Sequence, residues 1–324
     1  MSSSCSLPCL LTFLLIPVLL GVSFLVFTIM SFTPGDPATA ILGNGATKEE
    51  IHKLNEELGY YDPFVERYAD YVFNAVQGDF GTSYRTGEPV FGEIFSRFPT
   101  TIKLAISAIL LAVIIGIPIG MLSAIKQYSV FDVTSTVIAM FMTSVPQFWL
   151  ALMGILIFAV NLHILPSTGL ESFKHYIMPV FTLCLPCAAN IIRLTRSSML
   201  ETIRQDYVRT ARAKGLSERV VILKHAFRNA LLPVITVIGI NFGYQLGGAV
   251  LIESIFGIAG VGSLTVNSIR QKDIPQTTAS ILFLAFIYVV IMLVVDVLYA
   301  YIDPRLKAKI IRSRVKTVGN DQKT

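Results

Sequence analysis

Two cysteines in the middle of the chain have a spacing that suits redox or metal chemistry. Cys184-Leu185-Pro186-Cys187 has the Cys-x-x-Cys form found in disulfide oxidoreductases and zinc sites. Both cysteines lie inside a long apolar run, where cysteine behaves as a small hydrophobic residue. The histidines show no metal-ligand spacing; they are His52, His163, His175 and His225. We therefore predict no metal site and assign the cysteines to packing, with a redox or metal role as the alternative.

A few polar residues stand out in runs that are otherwise apolar. Asp296 lies in the last run, where a charge is costly and is therefore a functional candidate, although snorkelling or an ion pair also satisfies it. Asn241 and Gln245 are four residues apart, so on a helix they share one face. They can line a polar path, or they can hydrogen-bond between helices. With Trp149, they are our candidates for the lining of such a path.

The motifs of the common catalytic and nucleotide-binding sites do not occur in this sequence. It contains no Gly-x-x-x-x-Gly-Lys-Ser/Thr phosphate loop and no zinc-protease, Gly-x-Ser-x-Gly or kinase motif. The apolar runs also lack the several buried charges of an ion-coupled carrier. We predict that the chain is not an enzyme and holds no cofactor. If it is a pump, a partner polypeptide binds the ATP and Mg²⁺.

The composition is that of an integral membrane protein. Of 324 residues, 53% are hydrophobic and 15% are charged, against roughly 25% charged in soluble domains. A spanning helix needs about 20 mostly apolar residues. Six such runs predict an all-α membrane protein: Leu7–Phe32, Thr101–Ile125, Val133–Leu162, Ile177–Thr195, Leu231–Ile252 and Thr278–Tyr301. The net charge of +5 is concentrated beside these runs, which argues against a nucleic-acid partner and for the lipid bilayer.

The distribution of charge predicts the orientation of the spans, because Lys and Arg are retained in the cytoplasm. Residues 33–98 contain eleven Asp/Glu and five Lys/Arg, so we place them outside. The central stretch Arg196–Arg228 holds eight Lys/Arg and three Asp/Glu, and the tail from Arg305 to Lys323 is also basic. We place both inside. The prediction is six transmembrane helices with cytoplasmic N and C termini.

The outer segment carries the start and stop signals of two short helices. Thr47 and Glu50 predict a capping box, and Gly59 predicts the end of that helix. Asp62-Pro63 predicts a second start, with Asp62 as the N-cap and Pro63 as the first helical residue, and Gly78 closes that helix. Two amphipathic helices of this kind suit a docking surface or a plug over the loop ends.

The central basic stretch has the signals of a helical hairpin. Asp206 predicts an N-cap, residues 207–214 favour helix, and Ser217 predicts the cap of a following helix. Gly215 between them permits a sharp turn. Such a hairpin, lying across the membrane face, suits insertion of a short helix into the cleft of a partner. A solvated loop that only sets orientation is the alternative.

Several ordered stretches resemble the permease subunits of ABC importers, in the dipeptide/oligopeptide/nickel branch. The resemblance covers nearly the whole chain. The stretch that resembles the coupling loop of these permeases is "RTARAKGLSERVVILKHAFRNALLPVI". The others are "PGDPA", "GDFGTSYRTGEPV", "FPTTIKLA", "SVPQFWLAL", "RLTRSSMLE", "GGAVLIESIFGIAGVG" and "DPR".

The resemblance implies a type I ABC-importer transmembrane fold with several partners. These are a second homologous permease subunit, one or two ATPase subunits and an extracytoplasmic binding protein. The contact with the ATPase maps onto Ala211, Arg212, Ala213, Lys214, Gly215, Leu216, Ser217 and Glu218. Two features depart from the family pattern: Arg209-Thr210-Ala211 replaces the acidic-Ala-Ala opening, and the N-terminus lacks the usual arginine pair.

The predicted function is that of a permease subunit for short peptides in a bacterial cytoplasmic membrane. Nickel or a nickel chelate, and glutathione, are alternatives within the same branch. An ion-coupled carrier and a membrane enzyme are the rival classes. The predicted domains are the first transmembrane helix (1–32), an extracytoplasmic helical segment (33–98), a five-helix core (99–303) that includes the coupling loop (196–230), and a basic tail (304–324).

Overall fold

The computed structural model describes the backbone of residues 6–32, 36–43 and 45–302, and the side chains of residues 16–32, 36–43, 45–295 and 297. Over these ranges the chain is helical and has no strand, only an isolated bridge between Thr82 and Pro89. The helices are α1 (Ser6–Ser31), α2 (Pro37–Leu42), α3 (Lys48–Glu57), α4 (Phe64–Val76), α5 (Val90–Ile125), α6 (Val130–Ser144), α7 (Gln147–Gly154), α8 (Phe173–Ile203), α9 (Asp206–Ala213), α10 (Glu218–Val220), α11 (Phe227–Ile255), α12 (Val261–Gln271) and α13 (Ile274–Ile302). Two π-helical segments, Ile155–Asn161 and Val221–Ala226, follow α7 and α10.

The long helices are apolar enough to cross a bilayer. Among the described residues there are four such helices: Val90–Ile125, Phe173–Ile203, Glu218–Ile255 and Ile274–Val295. A fifth span results if α6 and the helix that follows it are counted together, and Ile16–Ser31 is a shorter apolar helix. The prediction of an all-α chain with several spans is therefore confirmed.

The predicted span Val133–Leu162 is not one continuous helix. It divides into α6 and α7 at Val145, whose backbone is extended with φ −84° and ψ 127°. The reason is Pro146, since proline disfavours the helical conformation of the residue before it. The predicted span Leu7–Phe32 corresponds to α1, which ends one residue earlier at Ser31, and the other four predicted spans lie within longer helices.

The start and stop signals of the segment after α1 hold with one exception. The Thr47 N–H donates to Glu50 Oε2 at 2.8 Å and the Glu50 N–H donates to Thr47 Oγ1 at 3.3 Å, so the capping box is confirmed. Gly59 and Gly78 are left-handed, with φ of +66° and +84°, after α3 and α4. The predicted cap at Asp62 is wrong: Pro63 is the N-cap residue and α4 begins at Phe64. Asp62 instead turns back over Gly59, where a Cβ would lie 2.6 Å from its Oδ2.

The chain divides into two compact units. The first consists of the described residues of 1–107, 147–183 and 244–289. Here α4 packs on α1, with Tyr68 hydrogen-bonded to Ser23 at 2.8 Å between the hydroxyls, and Phe24 and Phe27 against the Tyr68 ring. An apolar cluster joins α5, α12 and α13 through Val90, Ile94, Val261, Leu264 and Ala279.

The second unit consists of the described residues of 108–146, 184–243 and 290–302. Its apolar core joins α5, α8 and α11, and includes Ile109, Ala112, Ala188, Ile191 and Val234. Close contact between α5 and α8 depends on glycine. A Cβ at Gly116 would lie 2.7 Å from Ile191 Cγ2, and one at Gly120 would lie 2.6 Å from the Ile192 carbonyl oxygen.

Substitution of Gly120 should show how much this contact contributes to stability. Gly120→Ala adds a methyl group where the neighbouring backbone cannot move away, which we expect to cost about 1–3 kcal/mol. Gly247→Ala is the matched control, because it also lies in a helix and a Cβ there meets nothing within 4 Å. Thermal unfolding of the permease in detergent should give a lower midpoint for Gly120→Ala than for Gly247→Ala. Equal midpoints would contradict the packing assignment.

Candidate functional site

A charged hairpin, residues 206–220, connects the long helices α8 and α11 and contains every predicted ATPase-contact residue. Helix α9 ends at Ala213, Gly215 makes the turn and α10 begins at Glu218. Gly215 has φ +77°, in the left-handed region that glycine enters without steric cost. Its N–H donates to the Arg212 carbonyl at 2.9 Å. The predicted helix–glycine–helix geometry is confirmed.

An ion pair holds the two arms of the turn together. Arg212 Nη2 donates to Glu218 Oε1 at 2.7 Å and its Nε donates to Oε2 at 3.1 Å. This two-pronged geometry is the strongest form of the arginine–carboxylate contact. The hydrogen bonds to Glu218 raise the pKa of the Arg212 guanidinium. Since both side chains are substantially exposed, the pair contributes more to the shape of the turn than to stability.

The hairpin packs on the second unit through one apolar face. Val208 and Ala211 of α9 are buried against Met199 of α8 and against Val221 and Ile222 of the π-helical segment. A hydrogen bond of 2.8 Å from Asn229 Nδ2 to the Tyr207 hydroxyl is a second attachment. Buried side chains in proteins are packed as closely as molecules in organic crystals. The hairpin and the rest of the second unit should therefore move together as one rigid body.

The opposite side of the hairpin is open. Of the eight predicted contact residues, only Ala211 is buried, at 6% exposed. The others are exposed: Arg212, Ala213, Lys214, Gly215, Leu216, Ser217 and Glu218. The predicted cap at Asp206 is wrong, whereas Ser217 is at its predicted position. Gln205 is the N-cap residue of α9 and Asp206 is its first residue, and Ser217 occupies the N-cap position of α10 without a side-chain hydrogen bond.

A buried ion pair joins α6 to α8, the helix that precedes the hairpin. The sequence patterns did not predict it. Arg196 of α8 donates to both carboxylate oxygens of Asp132 in α6, from Nε at 2.5 Å and from Nη2 at 2.8 Å. The Ser123 hydroxyl and the Tyr128 N–H also donate to Asp132. Asp132 is 2% exposed. Ser129 caps α6 by accepting from the Asp132 N–H at 3.3 Å, but no local pattern in the sequence predicts the distant partner Arg196.

A cavity of about 460 Å³ opens on the second unit beside this ion pair. Its lining residues come from α6, α8 and α11: Thr136, Asn190, Arg193, Leu194, Arg196, Ser197 and Val237. Asn190, Arg193 and Ser197 are exposed and lie on one face of α8, at spacings of three and four residues. Arg196 is bound to Asp132, whereas Arg193 makes no hydrogen bond or ion pair with any described residue.

The three predicted path residues are not among the residues that line this cavity. The Gln245 side chain is buried, and its Nε2 donates to the Leu183 carbonyl of α8 at 2.8 Å. This agrees with the alternative prediction that Gln245 forms a hydrogen bond between helices. Asn241 donates to the Val237 carbonyl of its own helix at 2.9 Å. Trp149 in α7 is 45% exposed. Their role in a path therefore stays a prediction.

The cysteine pair, which was the candidate for redox or metal chemistry, lies in an apolar core. Cys184 and Cys187 are free thiols buried in the core of α5, α8 and α11. Within the described ranges, no group of three or more His, Cys, Asp or Glu side chains is placed to hold a metal ion. The side chains of Cys9 and Asp296, together with Cys5 and the tail 304–324, lie outside the described part of the chain.

Two buried acids of the first unit also make contacts that the sequence patterns did not predict. Asp273, before α13, accepts from the Ser83 hydroxyl at 2.5 Å and from the Tyr84 N–H at 3.3 Å, and it ties the loop before α5 to α13. Burial first, and then the Asp273 charge, raise the pKa of Tyr84 to about 12. Glu253, fully buried, accepts from the Ser263 N–H at 3.1 Å, in the first turn of α12. Favourable placement of a carboxylate at a helix N-terminus accounts for this contact.

The sequence is similar to those of bacterial transport permeases along most of its length. It is 44% identical over 322 residues to the dipeptide transport system permease protein DppB of Alkalihalophilus pseudofirmus, covering 91% of this chain and 97% of that protein. It is 43% identical over 295 residues to the glutathione transport system permease protein GsiC of Escherichia coli K12, covering 91% of this chain and 96% of that protein.

The fold is similar to those of solved ABC transporter chains. A chain of the methionine ABC transporter MetNI, in an inward-facing conformation, matches with a TM-score of 0.57 at 17% identity, covering 67% of this chain and 99% of that one. A chain of an amino acid ABC transporter solved with histidines matches with a TM-score of 0.51 at 15% identity, covering 66% of this chain and 94% of that one. At these identities the likeness concerns the fold.

Two family descriptions cover almost all of the sequence. Residues 116–308 match the inner membrane component of binding-protein-dependent transport systems, and residues 10–105 match the N-terminal part of such membrane components. The resemblance to ABC-importer permeases, the fold of their transmembrane subunits and the bacterial inner-membrane location are thereby confirmed. This family works with an ATPase and a binding protein. The chain belongs to the inner-membrane permease components of binding-protein-dependent ABC importers.

Proposed function

We propose that this permease carries short peptides, which an extracytoplasmic binding protein delivers to it. ATP binding draws the ATPase subunits together, the charged hairpin moves with them, and the helices change the side to which their path opens. The observation that carries the mechanism is the hairpin itself, whose residues 212–218 are exposed while Val208 and Ala211 anchor it in the core. The dipeptide permease at 44% identity supports the substrate class.

The proposed assembly contains a second, homologous permease subunit, one or two ATPase subunits and the binding protein. In this assembly Ala211–Glu218 contacts the ATPase. The chain itself performs no catalysis and holds no cofactor, and ATP and Mg²⁺ are bound by the partner. The lack of a phosphate-binding loop in the sequence supports this assignment.

The proposed topology has six spans and cytoplasmic termini. Residues 1–32 form the first span, 33–98 the extracytoplasmic segment, 99–303 the five-helix core and 304–324 the cytoplasmic tail. In a chain whose native cysteines are replaced, Asp70→Cys should react with an impermeant thiol reagent in intact cells. Ser217→Cys should react only after the membrane is opened. Labelling of Ser217→Cys in intact cells would contradict the topology.

Glutathione is the second candidate substrate, because a glutathione permease is 43% identical over 91% of this chain. Glutathione is itself a tripeptide with two free carboxylates, so both candidates share their chemistry. The assay is uptake into proteoliposomes that contain the complete complex, with the cognate binding protein and ATP. We expect ATP-dependent uptake of short peptides. Saturable uptake of glutathione alone, with no dipeptide uptake, would replace the first candidate by the second.

A further inference from the structure

Arg193 of α8 lines the cavity with an exposed side chain. It lies at the end of a run of eighteen residues of α8, after Lys174, that contains no Asp, Glu, Lys or Arg. A charged residue at the end of so long an apolar run normally faces a cavity, a partner or the aqueous interface. Arg196, three residues later, has its partner in Asp132, whereas Arg193 has none among the described residues. Its guanidinium therefore remains available to a ligand.

The surroundings of Arg193 suit an anion and not a cation. The lining of the cavity includes two arginines, three residues that carry a neutral polar group, and no acid. Asn190 and Ser197 lie on the same open face of α8 as Arg193, so their amide and hydroxyl groups are close enough along the helix to complete the shell of a bound group. A volume of about 460 Å³ lies within the roughly 300–1,000 Å³ of small-molecule sites.

We propose that Arg193, with Asn190 and Ser197 beside it, holds the free carboxylate of a peptide as it passes through the permease. This inference rests on the proposed function and names the group of the substrate that this part of the path recognises. Arginine pairs with carboxylates in a planar two-pronged geometry, which lysine does not reproduce. The contact replaces part of the water that a carboxylate loses on leaving bulk solvent.

The first test compares substrates in proteoliposomes that contain the complete complex and its binding protein. Arg193→Gln should lower uptake of a dipeptide about tenfold, as expected for loss of one hydrogen-bonded charge pair. Uptake of the same dipeptide as its C-terminal amide should change by less than about twofold, since no charge pair is lost. Arg193→Lys should recover part of the carboxylate uptake. Lys126→Gln is the control, because it removes an exposed cation of the same unit outside the cavity.

Equal losses for the acid and the amide would overturn the proposal, because they would indicate a structural or gating role. So would a loss of the second permease from the purified complex, which would assign Arg193 to an ion pair between subunits. Unchanged uptake of the dipeptide would also overturn it. If the wild-type complex imports no peptide, the proposed function fails. If the wild-type complex imports the dipeptide but Arg193→Gln lowers uptake of the acid and of the amide equally, only the role of Arg193 fails.

A second test needs no binding protein. It tests the role of Arg193 even if the binding protein does not deliver the dipeptide amide to the permease. In the complex whose permease lacks its native cysteines, Asn190→Cys should react faster with an anionic than with a cationic methanethiosulfonate reagent. Adding Arg193→Gln should lower this rate ratio by at least about fivefold, because the local potential that concentrates anions is removed. A dipeptide should slow the anionic reaction, and its amide should not. A rate ratio that Arg193→Gln leaves unchanged would overturn the proposal.

Discussion

Arg196→Met should destabilise the permease by about 3–5 kcal/mol, the cost of leaving a buried ion without its partner. Asp132 is 2% exposed and would keep only its hydrogen bonds from Ser123 and from the Tyr128 N–H. Neither donor carries a charge, so the carboxylate would lose its only charged partner among the described residues. The midpoint of thermal unfolding in detergent, and the yield of folded complex, should both fall.

Removing the carboxylate of Asp132 should lower the free energy of unfolding by less than removing the guanidinium of Arg196. The Arg196 side chain is 25% exposed, so in Asp132→Leu the guanidinium can regain water. The double variant Asp132→Leu with Arg196→Met should be more stable than Arg196→Met alone, because it leaves no buried charge. The double-mutant cycle therefore measures the coupling between the two residues directly. A loss below about 1 kcal/mol for Arg196→Met would contradict a role for this pair as a brace.

Gly215→Pro should abolish most of the coupling between ATP hydrolysis and uptake. Gly215 has φ +77°, and proline is confined to about −65°. The change also removes the N–H that donates to the Arg212 carbonyl and disfavours the conformation of Lys214. An incompatible proline costs about 3 kcal/mol, which is enough to shift a docked hairpin to mostly undocked. Stimulation of the ATPase by the binding protein and uptake should fall together, while membrane insertion persists.

Gly215→Asn is the matched control for this turn. A Cβ at Gly215 would meet nothing within 4 Å, so a larger side chain fits and only the backbone conformation matters. Asparagine enters the left-handed region more readily than other non-glycine residues. We therefore expect Gly215→Asn to retain most of the uptake. Normal uptake by Gly215→Pro would mean that the hairpin only sets orientation and does not transmit motion.

Local signals in the sequence determined much of this protein, because they act over a few residues. The apolar runs predicted the long helices, since each run is long enough to bury a helix in a bilayer. Thr47 and Glu50 predicted the start of α3, and Gly215 predicted the turn of the hairpin, because capping and positive φ depend on neighbouring backbone. The ordered motifs predicted the family. The misplaced caps at Asp62 and Asp206 shifted helix starts by one residue, within the ordinary uncertainty of helix ends.

Only the tertiary structure decided which polar residues are satisfied and which are open. Arg193 and Arg196 are the same residue type on the same helix, three positions apart. The sequence treats them alike, but α6 brings Asp132 to Arg196 across 64 residues and leaves Arg193 facing a cavity. In the same way, Gln245 is bonded to the Leu183 carbonyl and does not line that cavity. Pairing of this kind depends on how the helices pack and on the rotation of each about its axis, which no local pattern of residues specifies.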